Sequence, residues 1–448
     1  MDGLRACVDK MEREGIASEA IAAFEHYYGQ LVAGQTGLIG EAEIEPLESL
    51  TEYASLDEGD PPLDAAVVIK LNGGLGTSMG MTGPKSLLEV KDGLSFLDVI
   101  ARQILAMRER SGARLPLVLM HSFATRGPSL SALEAYPLEV DVPLDFVQSK
   151  EPKVLVESHA PAEWPANPDL EWCPPGHGDL YTSLQSSGML ERLLDEGYRY
   201  AFVSNVDNLG AVLDSRILAW FAASGAPFAS EAIDRPEADR KGGHLARLGD
   251  GLVLRESAQV ADSDQDAFQD TSRHRFFNAN NLWIDLQALA ALLRESGPVI
   301  GLPLIVNRKT VDPSDPTSPA VVQLETAMGA AVGVFDGATA LRVPRSRFLP
   351  VKATSDLLVM RSDAYALGDD FTVALAGGRD AAPLVSLSDE FKLVGDFDRR
   401  FPAGAPSLVE AERLEVSGDV TFGAGVVVRG AARVDGPAQV QDGEVLGA

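Results

Sequence analysis

The chain of 448 residues is short of several things, and each shortage excludes a class of protein. It has two cysteines, Cys7 and Cys173, far apart in sequence. Two cysteines cannot build a disulfide framework or a zinc site made of several thiolates. They fit a reducing compartment, and a cytoplasmic location is the expectation. No apolar run approaches the ~18 residues of a membrane span. The N-terminus reaches Lys10-Met11-Glu12 without the apolar block of a secretory signal. Basic residues are also scarce: 38 against 66 acidic ones, a formal net charge of −28. Nucleic acid and anionic membrane would both be repelled, so neither is an expected partner. A small anionic substrate stays open, because a few placed lysines reverse the field locally.

The rest is ordinary globular composition, 45% apolar and 23% charged, with length for two or three domains. Residues 1 to about 35 read as helical. One apolar stripe is Leu4, Cys7, Val8 and Met11, and a second is Ile21, Phe24, Tyr28 and Leu31, behind a cap at Ser18. Residues 36–64 read as a connection. From residue 65, short apolar strands alternate with helices. Strands are expected at Ala65–Ile69, Leu117–Met120, Leu144–Gln148 and Tyr200–Val203, and helices at Phe96–Met107 and Leu184–Glu196. That alternation predicts an α/β domain with a mostly parallel sheet. Val253–Glu256, Asn281–Ile284 and Val332–Phe335 add strands to a mixed sheet.

The last segment changes period. Val416, Phe422, Val428, Val434 and Val440 recur every six residues, and so do Leu414, Val420, Val426, Ala432 and Ala438. Two columns in register predict hexapeptide repeats of a left-handed parallel β-helix, about two coils long. Such coils need a neighbour to cover their open faces, either the main domain or another subunit.

Chemistry concentrates at the ends of the strands. Lys70-Leu71-Asn72-Gly73-Gly74-Leu75-Gly76-Thr77-Ser78-Met79-Gly80-Met81-Thr82-Gly83-Pro84-Lys85-Ser86 follows a buried strand. Close glycines let backbone N–H groups approach phosphate oxygens or a base, and Lys85 adds charge. It is not a Walker A loop, since Pro84 separates Gly83 from Lys85 and Ser78 replaces the first glycine. Met79 likewise breaks the Gly-x-Gly-x-x-Gly fingerprint. In Cys173-Pro174-Pro175-Gly176-His177-Gly178-Asp179, the flanking glycines let His177 approach a ligand. Asp207, after Tyr200–Val203, is either a ligand for a hard cation or a helix cap. Phe276-Phe277-Asn278-Ala279-Asn280-Asn281-Leu282-Trp283 mixes amides with aromatics, which suits hydroxyl recognition or a buried turn. Arg345, Arg347 and Lys352 bring three cations together in an acidic protein.

In order and combination these blocks closely resemble the UTP–glucose-1-phosphate uridylyltransferases of the eukaryotic type, the UDP-glucose pyrophosphorylases. The resemblance covers about Val67 to Asp356 and extends to a β-helical tail. It implies a nucleotide-diphospho-sugar transferase fold: residues 1–64 an N-terminal helical segment and connection, 65–400 the Rossmann-like catalytic domain, 401–448 the short β-helix. The implied reaction joins UTP and glucose 1-phosphate to give UDP-glucose and diphosphate. Carried over by position, Leu71, Asn72, Gly73 and Gly74 meet the uridine end, and Gln148 and Gly176 help to read the base. Lys85 holds the triphosphate. His177 and Asn205 lie near the sugar phosphate, and Asn205, Val206, Asp207 and Lys352 belong to the UTP site. Asp207 binds Mg²⁺. Lys352 bridges the reacting phosphates as the main catalytic residue. Gly243, Asn278, Asn280 and Glu325 face the glucose hydroxyls. Two positions depart from the usual family sequence near the expected sugar pocket: His244 and Ala279, where threonine is common. They bear on sugar selectivity, not on reaction class. The competing readings are a UDP-N-acetylhexosamine or broad UDP-sugar pyrophosphorylase, and a non-catalytic nucleotide-binding scaffold that assembles through its β-helix.

Overall fold

The computed structural model describes residues 2–235 and 240–447. Its centre is an eleven-stranded mixed sheet. The strand Ala66–Asn72 lies in the middle, parallel to Leu117–His121 on one side and to Tyr200–Asn205 on the other. Beyond Leu117–His121 comes Asp145–Val147, again parallel. All seven residues of Ala66–Asn72 are buried. That explains a run without polar alternation: both faces of this strand are covered by helices.

One long strand, Phe276–Asp285, runs antiparallel between Tyr200–Asn205 and Phe228–Asp234. Its register pairs Val203 with Leu282 and Tyr200 with Asp285. Its first half therefore reaches the edge where the parallel strands end. A register shift opposite Ser230 and Ala232 and a left-handed Asn280 (φ 57°) make a bulge there. The hairpin His244–Leu248 and Gly251–Arg255 branches from the same strand.

One face of the sheet is covered by the helix Phe96–Ser111, opened by a Ser95/Asp98 capping box, together with Ser215–Ser224. The other is covered by Leu180–Ser186, Met189–Asp195 and Leu286–Ser296. The N-terminal helices Asp2–Arg13 and Ser18–Val32 bury Cys7, Met11, Phe24 and Tyr28 against Val154, Val322 and Leu324. Among the described residues no helix is long and apolar enough to cross a membrane.

Three local expectations need correction. The helix expected over Leu184–Glu196 is two helices, broken at Gly188 in the left-handed region (φ 75°). Val332–Phe335 is no strand; Met328–Gly333 forms a 3₁₀ helix, because a short run of small apolar residues does not distinguish a strand from a buried turn. Ser18 does not cap its helix. Ala17 holds that position without a side-chain bond, and Ser18 instead donates to Glu19.

In the C-terminal segment each residue pairs in parallel with the one three hexads later: Leu414 with Ala432, Val420 with Ala438, Val427 with Val445. Three short ladders result. Their inner side chains are continuous with the core that holds Phe96 and Phe202. Phe401 is the joint, stacking on Phe422 at 4.8 Å between ring centroids and meeting Phe397 at 4.9 Å. Phe422→Ala is expected to lower the unfolding free energy by about 3–5 kcal/mol, the usual cost of truncating a buried aromatic. Denaturant titration checks this; an unchanged midpoint would show that the repeats do not share the main core.

Candidate active site

Parallel strands all end at one edge of a sheet, so the loops that follow them share one face. After Asn72 the chain turns at Gly73. A methyl group there would sit 3.1 Å from Gln148 Nε2, so the missing side chain lets the two loops meet. The Ser122 hydroxyl donates to Gly73 O at 3.0 Å. The glycine segment closes when Lys85 N donates to Gly74 O at 3.0 Å. Gly76 and Gly80 both adopt left-handed backbone within it. Lys85 Nζ then meets Asp207 Oδ2 at 2.6 Å. Asp207 follows the strand Tyr200–Asn205, and Val206 N donates to Leu71 O at 3.2 Å. The glycine loop, Gln148 and the Asp207 turn are thus tied together.

Three residues expected at the nucleotide turn their side chains inward. Leu71 and Val206 are buried in the core. Asn72 is fully buried, its amide donating to Ser129 Oγ at 2.8 Å and lying 3.2 Å from His121 Nδ1.

Beside this face lies a cavity of about 390 Å³. His177, Asn205, Asp207, Gly243, Asn278, Asn280, Glu325 and Lys352 all line it. Gln148 and Gly176 are not in its wall; they belong with the glycine loop and with the segment around Thr326. Asn278 and Asn280 form a small amide network: Asn278 Nδ2 donates to Asn280 Oδ1 at 3.2 Å, and Asn278 Oδ1 accepts from Asn280 N and Ser230 Oγ, each at 3.1 Å. Glu325 accepts from Asn307 Nδ2 at 2.9 Å. Lys352 lies 5.6 Å from the Phe348 ring centroid, and its backbone N–H donates to Asp356 Oδ2 at 2.8 Å. Burial pushes the Asp356 carboxyl above its ordinary range.

His177 is held tightly. Gly176 has φ 78°, and a methyl group on it would lie 2.5 Å from Thr326 O; one on Gly178 would lie 2.3 Å from Thr326 Oγ1. No other residue fits at either flank. Met328 N–H donates to His177 Nδ1 at 3.0 Å, so the ring proton sits on Nε2. Burial lowers the imidazole pKa to about 4. The ring is neutral at pH 7 and still offers an N–H.

Asp207 caps no helix. The next helix, Ser215–Ser224, is capped by Asp214, whose Oδ1 accepts from Arg216 N and Ile217 N. Of the two departures from the family sequence, only Ala279 lines the cavity. His244, expected near the sugar, turns away and stacks on His274 with ring centroids 3.9 Å apart. A buried polar layer under the hairpin draws it there: Glu41 bridges His274 Nε2 and Arg255.

Sequence reasoning missed Glu256, Asn307 and Phe348 in the cavity wall. Glu256 ends the strand Gly251–Arg255, a position where a carboxylate could have been read as a site residue. It lies so close to Gly243 that a methyl group there would be 2.5 Å from its Oε2. Burial pushes its carboxyl upward, and Lys352 opposes that shift. Asn307 carries no sequence signal, since it comes from a half-exposed strand.

Close-approach glycines, two lysines and one carboxylate at strand ends, beside a cavity lined with amides, define a nucleotide- and sugar-binding α/β protein. The sequence profile of the family described as UTP--glucose-1-phosphate uridylyltransferase matches residues 21–429. A UTP--glucose-1-phosphate uridylyltransferase of Hordeum vulgare is 39% identical, with 100% of this chain and 95% of that protein aligned. The Solanum tuberosum protein of the same name is 40% identical over 96% of this chain and 92% of its own length. A UDP-glucose pyrophosphorylase variant of Leishmania major, solved with UDP-glucose, superposes with TM-score 0.94 at 43% identity, covering 100% of this chain and 98% of that one. The chain belongs to the UTP–glucose-1-phosphate uridylyltransferase family.

Because His177 stays neutral well below pH 6, its substitution should change the size of the rate and not its pH dependence. His177→Leu is expected to lower kcat/KM about 10–100-fold, the worth of a hydrogen bond to a charged group. The pH–rate profiles of the two proteins should run parallel from pH 5 to 8. A limb near pH 6.5 that vanishes in the variant would overturn this.

Proposed function

We propose that this chain transfers the uridylyl group of UTP to glucose 1-phosphate, giving UDP-glucose and diphosphate. The observation that supports the reading is that Asp207, ion-paired with Lys85, and Lys352 both line the amide-rich cavity. A sugar-phosphate oxygen attacks the α-phosphorus of UTP, the bond from that phosphorus to the β-phosphate bridge breaks, and diphosphate leaves. Both reactants are anions, so the barrier is charge crowding and alignment. No covalent nucleophile is needed.

Lys352 bridges the reacting phosphates and offsets the charge that builds between them. Lys85 holds the triphosphate. His177 donates from Nε2 to the sugar phosphate, with Asn205 beside it. Backbone at Leu71–Gly74 and Val206, with Gln148 and Gly176, holds the uridine. Gly243, Asn278, Asn280 and Glu325 meet the glucose hydroxyls. Asp207 is the residue that would hold Mg²⁺. Its carboxylate suits a hard cation, which would take its remaining oxygen ligands from water and substrate phosphates, since no group of three metal-ligating side chains occurs among the described residues. Once bound, the ion neutralises charge on the non-reacting phosphate oxygens.

The same reading keeps the divisions at residues 1–64, 65–400 and 401–448 and takes the C-terminal ladders as a left-handed β-helix. Its last coil leaves a face through which copies of the chain can assemble. A cytoplasmic setting fits the low cysteine content. Ala279 in the cavity wall favours a second reading, in which the cavity accepts other sugar 1-phosphates.

The test is diphosphate release from UTP, Mg²⁺ and glucose 1-phosphate, beside N-acetylglucosamine 1-phosphate and galactose 1-phosphate. Release with glucose 1-phosphate is expected. Equal rates across the panel would replace glucose specificity with the broader reading. UTP binding without release from any sugar would leave a nucleotide-binding scaffold. Lys352→Ala should lower kcat roughly 10²–10³-fold with unchanged circular dichroism. Chelation should abolish turnover and added Mg²⁺ restore it; turnover that survives chelation would remove the metal role from Asp207.

A further inference from the structure

Asn208 follows Asp207 and is 3% exposed. Its amide is saturated. Nδ2 donates to Arg347 O at 3.1 Å and to Asn281 Oδ1 at 3.3 Å. Oδ1 accepts from Leu349 N at 2.8 Å and Gly210 N at 3.2 Å. A primary amide has two hydrogens and two lone pairs, and all are used. Although Asn208 borders the cavity, nothing is left over for a ligand.

What the amide grips is the segment that delivers Lys352. Arg347 O and Leu349 N both belong to it. The main chain continues the contact: Asn208 forms an antiparallel bridge with Pro350, and Val351 N donates to Asp207 O at 3.1 Å. The next residue is Lys352. Gly210 completes the fit, since a methyl group there would lie 2.3 Å from Ser346 O. The Asp207 turn and the Lys352 segment, far apart in sequence, are laid edge to edge with Asn208 as the side-chain clip.

We propose that Asn208 is a positioning residue: its amide fixes the register between these two segments, so that the Lys352 ammonium and the Asp207 carboxylate face one cavity at a set spacing. The proposal rests on the reading of Lys352 as the catalytic lysine. Its energetic logic is alignment, where a misplacement of about 1 Å costs up to ~10²-fold in rate.

A double-mutant cycle on the full chain tests it, with wild type, Asn208→Ala, Lys352→Ala and the double variant. Diphosphate release is measured at saturating UTP, Mg²⁺ and glucose 1-phosphate. Asn208→Ala is expected to lower kcat about 10–100-fold in wild type and less than about 2-fold when Lys352 is already alanine. A merely structural role would give the same loss in both backgrounds, and that result, or no loss in wild type, overturns the proposal. Near-wild-type turnover of Lys352→Ala alone would instead bring down the reading of Lys352, and the proposal with it. Asn208→Asp covers the case in which the alanine variant does not fold. It keeps the acceptor for Leu349 N and Gly210 N but cannot donate to Arg347 O or Asn281 Oδ1. Its loss should be present in wild type and absent beside Lys352→Ala; equal losses would again overturn the proposal.

Discussion

A buried ion pair underlies the active face. Arg347 reaches Glu231 with Nη2 at 2.6 Å and Nε at 2.7 Å. Both side chains are buried, and taking two charges out of water is costly unless every lone pair and proton finds a partner. Here the carboxylate also accepts from Asn281 Nδ2 at 2.9 Å and Trp283 Nε1 at 3.0 Å. The pair therefore fixes the strand Phe228–Asp234, the strand Phe276–Asp285 and the Arg345–Lys352 segment in one arrangement. Asn208 reads that arrangement through Arg347 O and Asn281 Oδ1. Close by, Lys70 is buried and donates to Ser204 Oγ at 2.7 Å and Ala211 O at 2.6 Å. Burial, with Arg347 adding to it, lowers its pKa to about 7.

The long antiparallel strand Phe276–Asp285 has a consequence that an all-parallel sheet could not have. Parallel strands offer only their carboxyl ends to the active edge. Phe276–Asp285 runs the other way, so its early residues reach the same edge. There the bulge at Asn280 interrupts plain alternation, and Asn278, Ala279 and Asn280 all border the cavity while Ala279 also packs in the core. Loops that follow the parallel strands and amides of the antiparallel strand come to one place from opposite chain directions.

Much of this was legible in the sequence because the signals were local. The strand Ala66–Asn72, its glycine loop and the Gly-His-Gly turn each announce themselves within a few residues. The hexad columns needed only a count of six. That count alone does not give the pairing three hexads on, Leu414 with Ala432, which the structure supplies. What was not legible depends on distant contacts. Arg345, Arg347 and Lys352 read alike as one cationic cluster, yet they have separate surroundings: Arg345 lies over the Phe348 ring, Arg347 is buried on Glu231, and Lys352 enters the cavity. Asn72 and Asn278 are both asparagines near strand ends, but one amide serves the interior and the other the cavity. His244 looked like a pocket residue by its neighbour Gly243, and alternation along the strand turned it to the opposite side. Asp207 reads equally well as a cap or a ligand in the sequence, and only the fold shows that Asp214 caps the next helix.

The charge inventory links the acidic chain to its anionic substrates. With a net charge of −28 the molecule as a whole repels phosphate, so attraction must come from local groups held without competing partners. Most cations are spent elsewhere: Lys10 on Glu171, Lys150 on Glu14, Lys91 and Lys153 on buried carbonyls. Lys85 and Asp207 neutralise each other across 2.6 Å. That pair is self-compensating, so neither charge is left unpaired at the edge of the cavity. Lys352 differs. No carboxylate forms an ion pair with its ammonium among the described residues, and Asp356 engages its backbone instead. Its ammonium is placed by the segment that carries it and not by a counter-ion, close to the Phe348 ring and at the cavity wall.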